Sequence, residues 1–240
     1  MKNYYTWSLS DKCLAITTTT SLGNMAFQVA QNPNEVEENR KSLFNELQIA
    51  SDEVVFVHQT HSDVIKETII EDRGKGKNSF ESGIEADALY TKSKRLGLGI
   101  FHADCEPIFF IHEESGIIGI IHAGFKGTMK HIAYKAIKEL CKKEDIEPED
   151  IKIFVGPLRR EKSFEVDKES MRQIRAAGFR KCVANSHFNL ALANKCDLLK
   201  AGIKEENIQD CLINTFEEAN CYSAIRKTPV GRMASIIMLN

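Results

Sequence analysis

The sequence predicts an α/β protein of the α+β kind, with layered sheets and helices, on three observations. Short β-branched and aromatic runs come in pairs separated by hairpin-sized turns, amphipathic helices stand apart from those pairs, and no repeat or low-complexity tract interrupts the pattern. With 240 residues and 42% hydrophobic content, the chain can bury a full core. We expect one domain over residues 1–240.

In chain order, Cys13 to Thr18 is a predicted strand. A helix follows, with Asn34 as its N-cap, Glu37 three residues on, and Val36, Leu43, Phe44 and Leu47 on one face before Ser51-Asp52. Val54 to Val57 is a buried-type strand running into His58-Gln59-Thr60-His61, and Val64 to Ile70 continues extended. Glu71 to Ser82 is a polar surface loop, and Glu85 to Thr91 returns to strand. Leu98 to His102, Pro107 to Ile111 and Ile117 to Ile121 form the most apolar part of the chain. Pairing Ile111 with Gly116 across the intervening turn would set Cys105 directly opposite His122. A one-residue slip would turn the two to opposite faces.

Met129, Ile132, Ala133, Ala136, Ile137 and Leu140 give the clearest helical period, with Thr128 placed as N-cap. Ile151 to Val155 and Met233 to Leu239 read as strands, Leu190 to Ala201 and Lys168 to Ala177 as helices.

Composition narrows the function. The 32 basic residues are scattered among 34 acidic ones for a net charge of −2, which leaves no electrostatic footprint for nucleic acid or an anionic membrane and favours a small, near-neutral ligand. No apolar run approaches the ~18 residues of a membrane span, and the N-terminus lacks signal-peptide regions, so a cytoplasmic location is expected. Seven irregularly spaced cysteines read as free thiols.

His61, Cys105 and His122 each sit at the end of an apolar strand, and three N/S ligands with a fourth position open are the pattern of a catalytic zinc site. Two other readings of these residues stand beside it: a buried thiol near structural histidines, and a metal-free Cys-His nucleophile pair. His58 and His102 are close enough in sequence to support such ligands, while His112, His131 and His187 read as ordinary. Gly124-Phe125-Lys126-Gly127-Thr128 joins a strand to a helix, where exposed amides and a lysine suit a small anion. Arg160 reads as solvated surface charge, and Arg232 as either that or an anion ligand.

These residues fall into an order that resembles the YfiH/YlmD-type polyphenol oxidase or laccase-domain family: Gln59-x-His61, Ala86-Asp87-Ala88, Ala103-Asp104-Cys105-x-Pro107, His122-Ala123-Gly124-x-x-Gly127, Gly156-Pro157, Phe164-Glu165-Val166 and Gly231-Arg232, with Asn24-Met25 and Asn39-Arg40 near the start. The resemblance covers nearly the whole chain. It implies a CNF/YfiH-like single-domain sandwich of mixed, largely antiparallel central sheets flanked by helices, and a zinc held by His61, Cys105 and His122. It also implies phosphorolysis of adenosine, inosine and methylthioadenosine, and adenosine deamination at the same site. In such a site His61, Cys105 and His122 would be catalytic together with Asp104, which would move a proton or orient the centre. Gln59, Lys126, Gly127 and Arg232 would bind nucleoside or phosphate.

The chain departs from the family pattern at four places. Phe125 and Lys126 stand where Trp and Arg are usual, Thr18 to Thr20 lacks an arginine, and Ile225 replaces another. Lysine neutralises phosphate without a bidentate fork, so phosphate use is expected to change, and a weakened nucleoside-binding paralogue is an alternative. Two further alternatives are a metal-independent Cys-His hydrolase or deamidase and a copper-dependent polyphenol oxidase. Copper fits less well than zinc, because a laccase needs additional histidine-rich copper sites and seven singly spread histidines do not supply them.

Overall fold

The structure is a computed structural model that describes residues 2–226 and 228–240. Its strands are β1 (Tyr4–Thr6), β2 (Cys13–Thr18), β3 (Val54–His58), β4 (Ile65–Glu67), β5 (Ile84–Glu85), β6 (Ala88–Thr91), β7 (Gly97–His102), β8 (Glu106–His112), β9 (Ile117–Ala123), β10 (Ile151–Val155), β11 (Val183–Ala184), β12 (His187–Phe188), β13 (Ile208–Asp210) and β14 (Met233–Leu239). The helices are α1 (Pro33–Leu47), α2 (Phe125–Met129), α3 (Ile132–Glu144), α4 (Lys168–Ala176) and α5 (Leu190–Ala201).

Two six-stranded mixed sheets result. One runs β1-β2-β14-β7-β3-β5 and the other β13-β10-β8-β9-β6-β4, while β11 and β12 make a small separate ribbon. Antiparallel pairing prevails in the middle of the sheets, and β3 with β7, β3 with β5, β4 with β6, and β10 with β13 pair in parallel.

The side-chain period of two explains why the central strands are apolar throughout. In β8, Phe109 and Ile111 point into the layer between the sheets with Val55, Leu98, Ile100 and Ile237, whereas Ile108 and Phe110 point outward beneath Ile132, Ala136 and Ile137 of α3. On the far side of the other sheet, Phe56, Phe101 and Ile236 are covered by Leu43 and Phe44 of α1. Both faces of both sheets are therefore buried, giving four layers: α1, sheet, sheet, and the group α3 to α5.

Several boundaries differ from the sequence reading. The N-cap of α1 is Asn32, whose side chain accepts from the Asn34 amide, with Pro33 in the first turn. Val64 to Ile70 is extended only over β4 before a turn of 3₁₀ helix at Ile70–Asp72. Glu85 to Thr91 is two strands in different sheets, because the chain crosses between the layers at Ala86-Asp87. Thr128 does not cap the amphipathic helix. A short helix begins at Phe125, the chain breaks at His131 with φ of 62°, and α3 starts afresh at Ile132.

The β8–β9 register is also two residues from expectation. His112 stays in the strand opposite Ile117, with its Nδ1 accepting the Ser115 amide, so Ile111 faces Ile118 and Pro107 faces His122. A shift of two preserves side-chain parity, and Cys105 and His122 keep a common face as diagonal neighbours.

The registers carry the C-terminal ends of β3, β5, β7, β9 and β10 and the starts of β8 and β14 to one end of the sandwich. Connections cross between the sheets there, and the candidate residues collect on them.

Candidate metal centre and its cavity

Asp87 organises this end of the molecule. Fully buried at the crossover between β5 and β6, its carboxylate accepts the amides of Thr60 (3.2 Å), His61 (3.2 Å) and Ser62 (2.6 Å), the Ser62 hydroxyl (2.7 Å) and His122 Nδ1 (2.9 Å). Three successive amides around one anion hold the turn after β3 with His61 at φ of 56°, a conformation that few non-glycine residues adopt. Burial alone would push the Asp87 carboxyl up, yet His122 and Ser62 outweigh it and hold the group below the ordinary carboxylate range. With Nδ1 of His122 donating to Asp87, Nε2 is left to serve as a ligand.

Cys105 stands just before β8, after Asp104 at φ of 82°. The ligand atoms of His61, Cys105 and His122 lie within 4.8 Å of one another, and the two rings meet edge to face with centroids 5.0 Å apart. Tetrahedral zinc with bonds of about 2.0 to 2.3 Å needs donor separations of roughly 3.4 to 3.8 Å, so small side-chain movements complete the set. Burial would raise the Cys105 thiol, but His122 and His61 prevail and keep it well below its usual value; Cys105 and Asp87 in turn raise His122 against the effect of burial. Opposite Cys105, a Cβ on Gly124 would lie 2.8 Å from its Sγ and 3.1 Å from His61 Cδ2. Only glycine leaves room for the cluster. The donor set, its hydrogen-bonded histidine and this clearance together suit a metal ion.

The other histidines take no part. His102 is buried against the Ser235 hydroxyl (2.8 Å) and pushed down to about 3 chiefly by burial; His112 bonds Ser115, His131 bonds Asp197, His187 bonds the Asn185 carbonyl, and His58 packs edge-on against Phe80. Among the described residues, His61, Cys105 and His122 are the one group of three or more His, Cys, Asp or Glu able to share an ion.

A cavity of about 350 Å³ opens on the cluster. Its polar wall is His61, Asp104, Cys105, Lys126 and Arg159, and its apolar wall includes Phe125, Phe164, Leu190 and Ile225. That volume lies in the range of small-molecule sites. A larger cleft of about 500 Å³ beside α1 has no such chemistry: its Arg40 is sandwiched by Phe27, Phe56 and Phe101 and bonded to the carbonyls of Met25, Gly76 and Lys77.

The expected residues divide accordingly. Lys126 and Asp104 reach the cavity, although both Asp104 oxygens are engaged, by the Thr215 hydroxyl (2.8 Å) and the Ile225 amide (3.2 Å). Gln59 does not line it; its amide is paired in both directions with the backbone of Phe101 at 2.7 and 2.8 Å. Gly127 lies inside α2, where a Cβ would stand 3.2 Å from the Ser62 carbonyl. Arg232 lines a neighbouring cleft of about 280 Å³, with Nη1 on the Gly231 carbonyl. Arg160 is not solvated surface charge but is fastened to Asp210 and the Ile213 carbonyl. Sequence reasoning gave no role to Asp87 or Arg159; a carboxylate inside Ala86-Asp87-Ala88, between apolar neighbours, was the signal for the first.

Comparison with known proteins agrees with this architecture. Residues 15–240 match the family described as multi-copper polyphenol oxidoreductase laccase. The chain is 29% identical to the purine nucleoside phosphorylase YlmD of Bacillus subtilis (strain 168) over 224 residues, 89% of this chain and 81% of that protein. It is 28% identical to adenosine deaminase RL5 of an unknown prokaryotic organism, covering 85% of this chain and 81% of that one. The crystal structure of YlmD from Geobacillus stearothermophilus superposes with a TM-score of 0.91 at 26% identity, over 100% of this chain and 97% of the other.

Proposed function

The chain belongs to the multi-copper polyphenol oxidoreductase laccase family, and from that membership and its cavity we propose that it is a zinc-dependent purine nucleoside phosphorylase for adenosine, inosine and methylthioadenosine that also deaminates adenosine. The observation that carries the reading is the His-Cys-His cluster, whose His61 and Cys105 line a cavity with aromatic walls and cationic side chains. Relatives named as purine nucleoside phosphorylase and as adenosine deaminase support it. Zinc is preferred to copper because oxidase chemistry of the laccase type requires several copper centres.

His61, Cys105 and His122 would hold the ion, with Asp87 fixing the tautomer of His122. When bound, zinc supplies Lewis acidity and lowers the pKa of water toward ~7. Phe125 offers an apolar ring to the purine at the cavity wall. Lys126 draws phosphate to the cavity mouth. In phosphorolysis a phosphate oxygen bonds to ribose C1′ as the bond from C1′ to the base nitrogen breaks; its electron pair leaves with the purine, which takes up a proton. In deamination water adds at C6 of adenine and ammonia departs. Asp104, anchored by Thr215 and Ile225, orients the Cys105 turn.

Chromatography of adenosine incubated with zinc-loaded protein tests this reading. Adenine and ribose 1-phosphate should form only with phosphate present, and inosine without it. Absence of both products would refute it. A metal-free Cys-His hydrolase is the second reading, favoured by the depressed Cys105 thiol; it requires activity that survives a chelator and is abolished by a thiol alkylator.

A further inference from the structure

Arg159 is the one cavity residue whose chemistry the preceding account leaves unused. It is 6% exposed, and its guanidinium lies 3.6 Å from the centre of the Phe164 ring. Its backbone amide donates to the Asp104 carbonyl (2.9 Å), which fixes its Cα beside the Cys105 turn. Among the described residues that guanidinium makes no salt bridge, although the Asp104 carboxylate acts on it through space, and its buried Nε has no hydrogen-bond partner. Arg160, one residue on, shows what the fold does with a structural arginine: both of its Nη atoms are bonded to Asp210 and its Nε to the Ile213 carbonyl.

Holding a positive charge at a largely buried position with no salt bridge costs free energy, and an anion entering the cavity would offset that cost. The surrounding charge points the same way. A divalent ion bound by one thiolate and two neutral imidazoles has a net charge of +1, and Lys126 adds another on the same wall. Asp104 is the one carboxylate lining the cavity; its charge, felt by Arg159, offsets one of these positive charges and leaves the wall net positive once Arg159 itself is counted. The guanidinium stacks on the Phe164 ring while Arg159 lines the cavity, where its Nη groups are the ones able to meet a tetrahedral oxyanion.

We propose that Arg159 is the principal anchor of the inorganic phosphate co-substrate, stacked on Phe164 and facing the His61–Cys105–His122 cluster, with Lys126 as the outer, solvent-screened partner. This rests on the phosphorolysis reading for its identification of the anion as phosphate. Arg159 is in these terms a binding residue that sets phosphate use independently of metal loading.

The experiment compares wild type, Arg159→Gln and Arg159→Lys, each loaded with zinc and checked for metal content and melting temperature. Titration calorimetry with inorganic phosphate measures binding without turnover, and initial rates against phosphate give KM. Wild type should bind phosphate. Arg159→Gln should weaken binding and raise the phosphate KM by about ten- to a hundredfold, the loss of a charge-assisted contact, while zinc content and the KM for adenosine stay near wild type. Arg159→Lys, which keeps the charge without the fork, should fall between and guards against a folding defect in the glutamine variant. Phosphate affinity unchanged in both variants, or no phosphate binding by wild type, would overturn the proposal. Phosphate binding that is lost in Arg159→Gln, in a wild type that never cleaves nucleosides, would uphold the anchor and refute the phosphorylase reading.

Discussion

Replacing Asp87 by Asn separates the metal-supporting role of this carboxylate from its structural one. If the asparagine carbonyl takes the place of Oδ1, His122 and the His61 amide keep their acceptor, but the new amino group faces the Ser62 amide, the Ser62 hydroxyl and the Thr60 amide, all of which donated to Oδ2. The hydroxyl can rotate to accept. Two backbone amides cannot, and each unpaired buried donor costs about 1 to 3 kcal/mol, so a loss of about 2 to 4 kcal/mol is expected once the turn relaxes. For a chain of this length that corresponds to a melting temperature lower by roughly 4 to 16 °C. The charge behind His122 also disappears, and losing such a partner weakens metal binding by about ten- to a hundredfold. Competition against a zinc-chelating dye measures the affinity, and calorimetry of the metal-free protein measures the stability. Ser62→Ala is the control: it removes a single bond to Oδ2, leaves His122 bonded to Asp87, and should lower stability slightly with zinc affinity intact. Wild-type zinc affinity in a folded Asp87→Asn variant would refute the reasoning, because the buried carboxylate would then serve the turn alone.

Two further predictions follow from packing and charge. Gly124→Ala places a Cβ 2.8 Å from Cys105 Sγ, so the variant should fold yet hold little zinc; full metal occupancy by elemental analysis would show that the cluster tolerates displacement. Glu53, 4% exposed, accepts from Arg95 at both oxygens, from Arg73 and from the Ala50 amide; burial alone would raise it, but these partners hold its carboxyl below the ordinary range. Because the folded value is the lower one, its contribution is complete above the unfolded value of about 4.3 and disappears as pH falls through the folded value. Melting temperatures of wild type and Glu53→Gln should therefore differ at pH 7 and converge in acid, and a constant difference would contradict the assignment.

The buried strands and amphipathic helices were legible because their side chains repeat at two or 3.6 residues. Cys13–Thr18, Ile151–Val155, Leu190–Ala201 and Met233–Leu239 begin and end where their patterns do. Edge strands such as Tyr4–Thr6 and Ile208–Asp210 are too short and polar to show a period. At the site, the three candidate ligands could be picked out, since His61, Cys105 and His122 follow or precede apolar runs, but what brings them together could not. Their assembly depends on His112 shortening a turn, on an Asp87 carboxylate gathering amides from 60 to 62, and on a left-handed His61, all of them tertiary effects. Arg159 and Arg160 look alike in sequence. Only the placement of Asp210 against one and Phe164 against the other distinguishes a structural arginine from one that faces the cavity.

The central claim is that His61, Cys105 and His122 hold one metal ion, and metal content of purified wild type and Cys105→Ala tests it most directly. The account predicts close to one zinc per chain in wild type and loss of most of it in the variant, with the variant still folded. Full zinc occupancy in Cys105→Ala, or copper in several equivalents per wild-type chain, would contradict it.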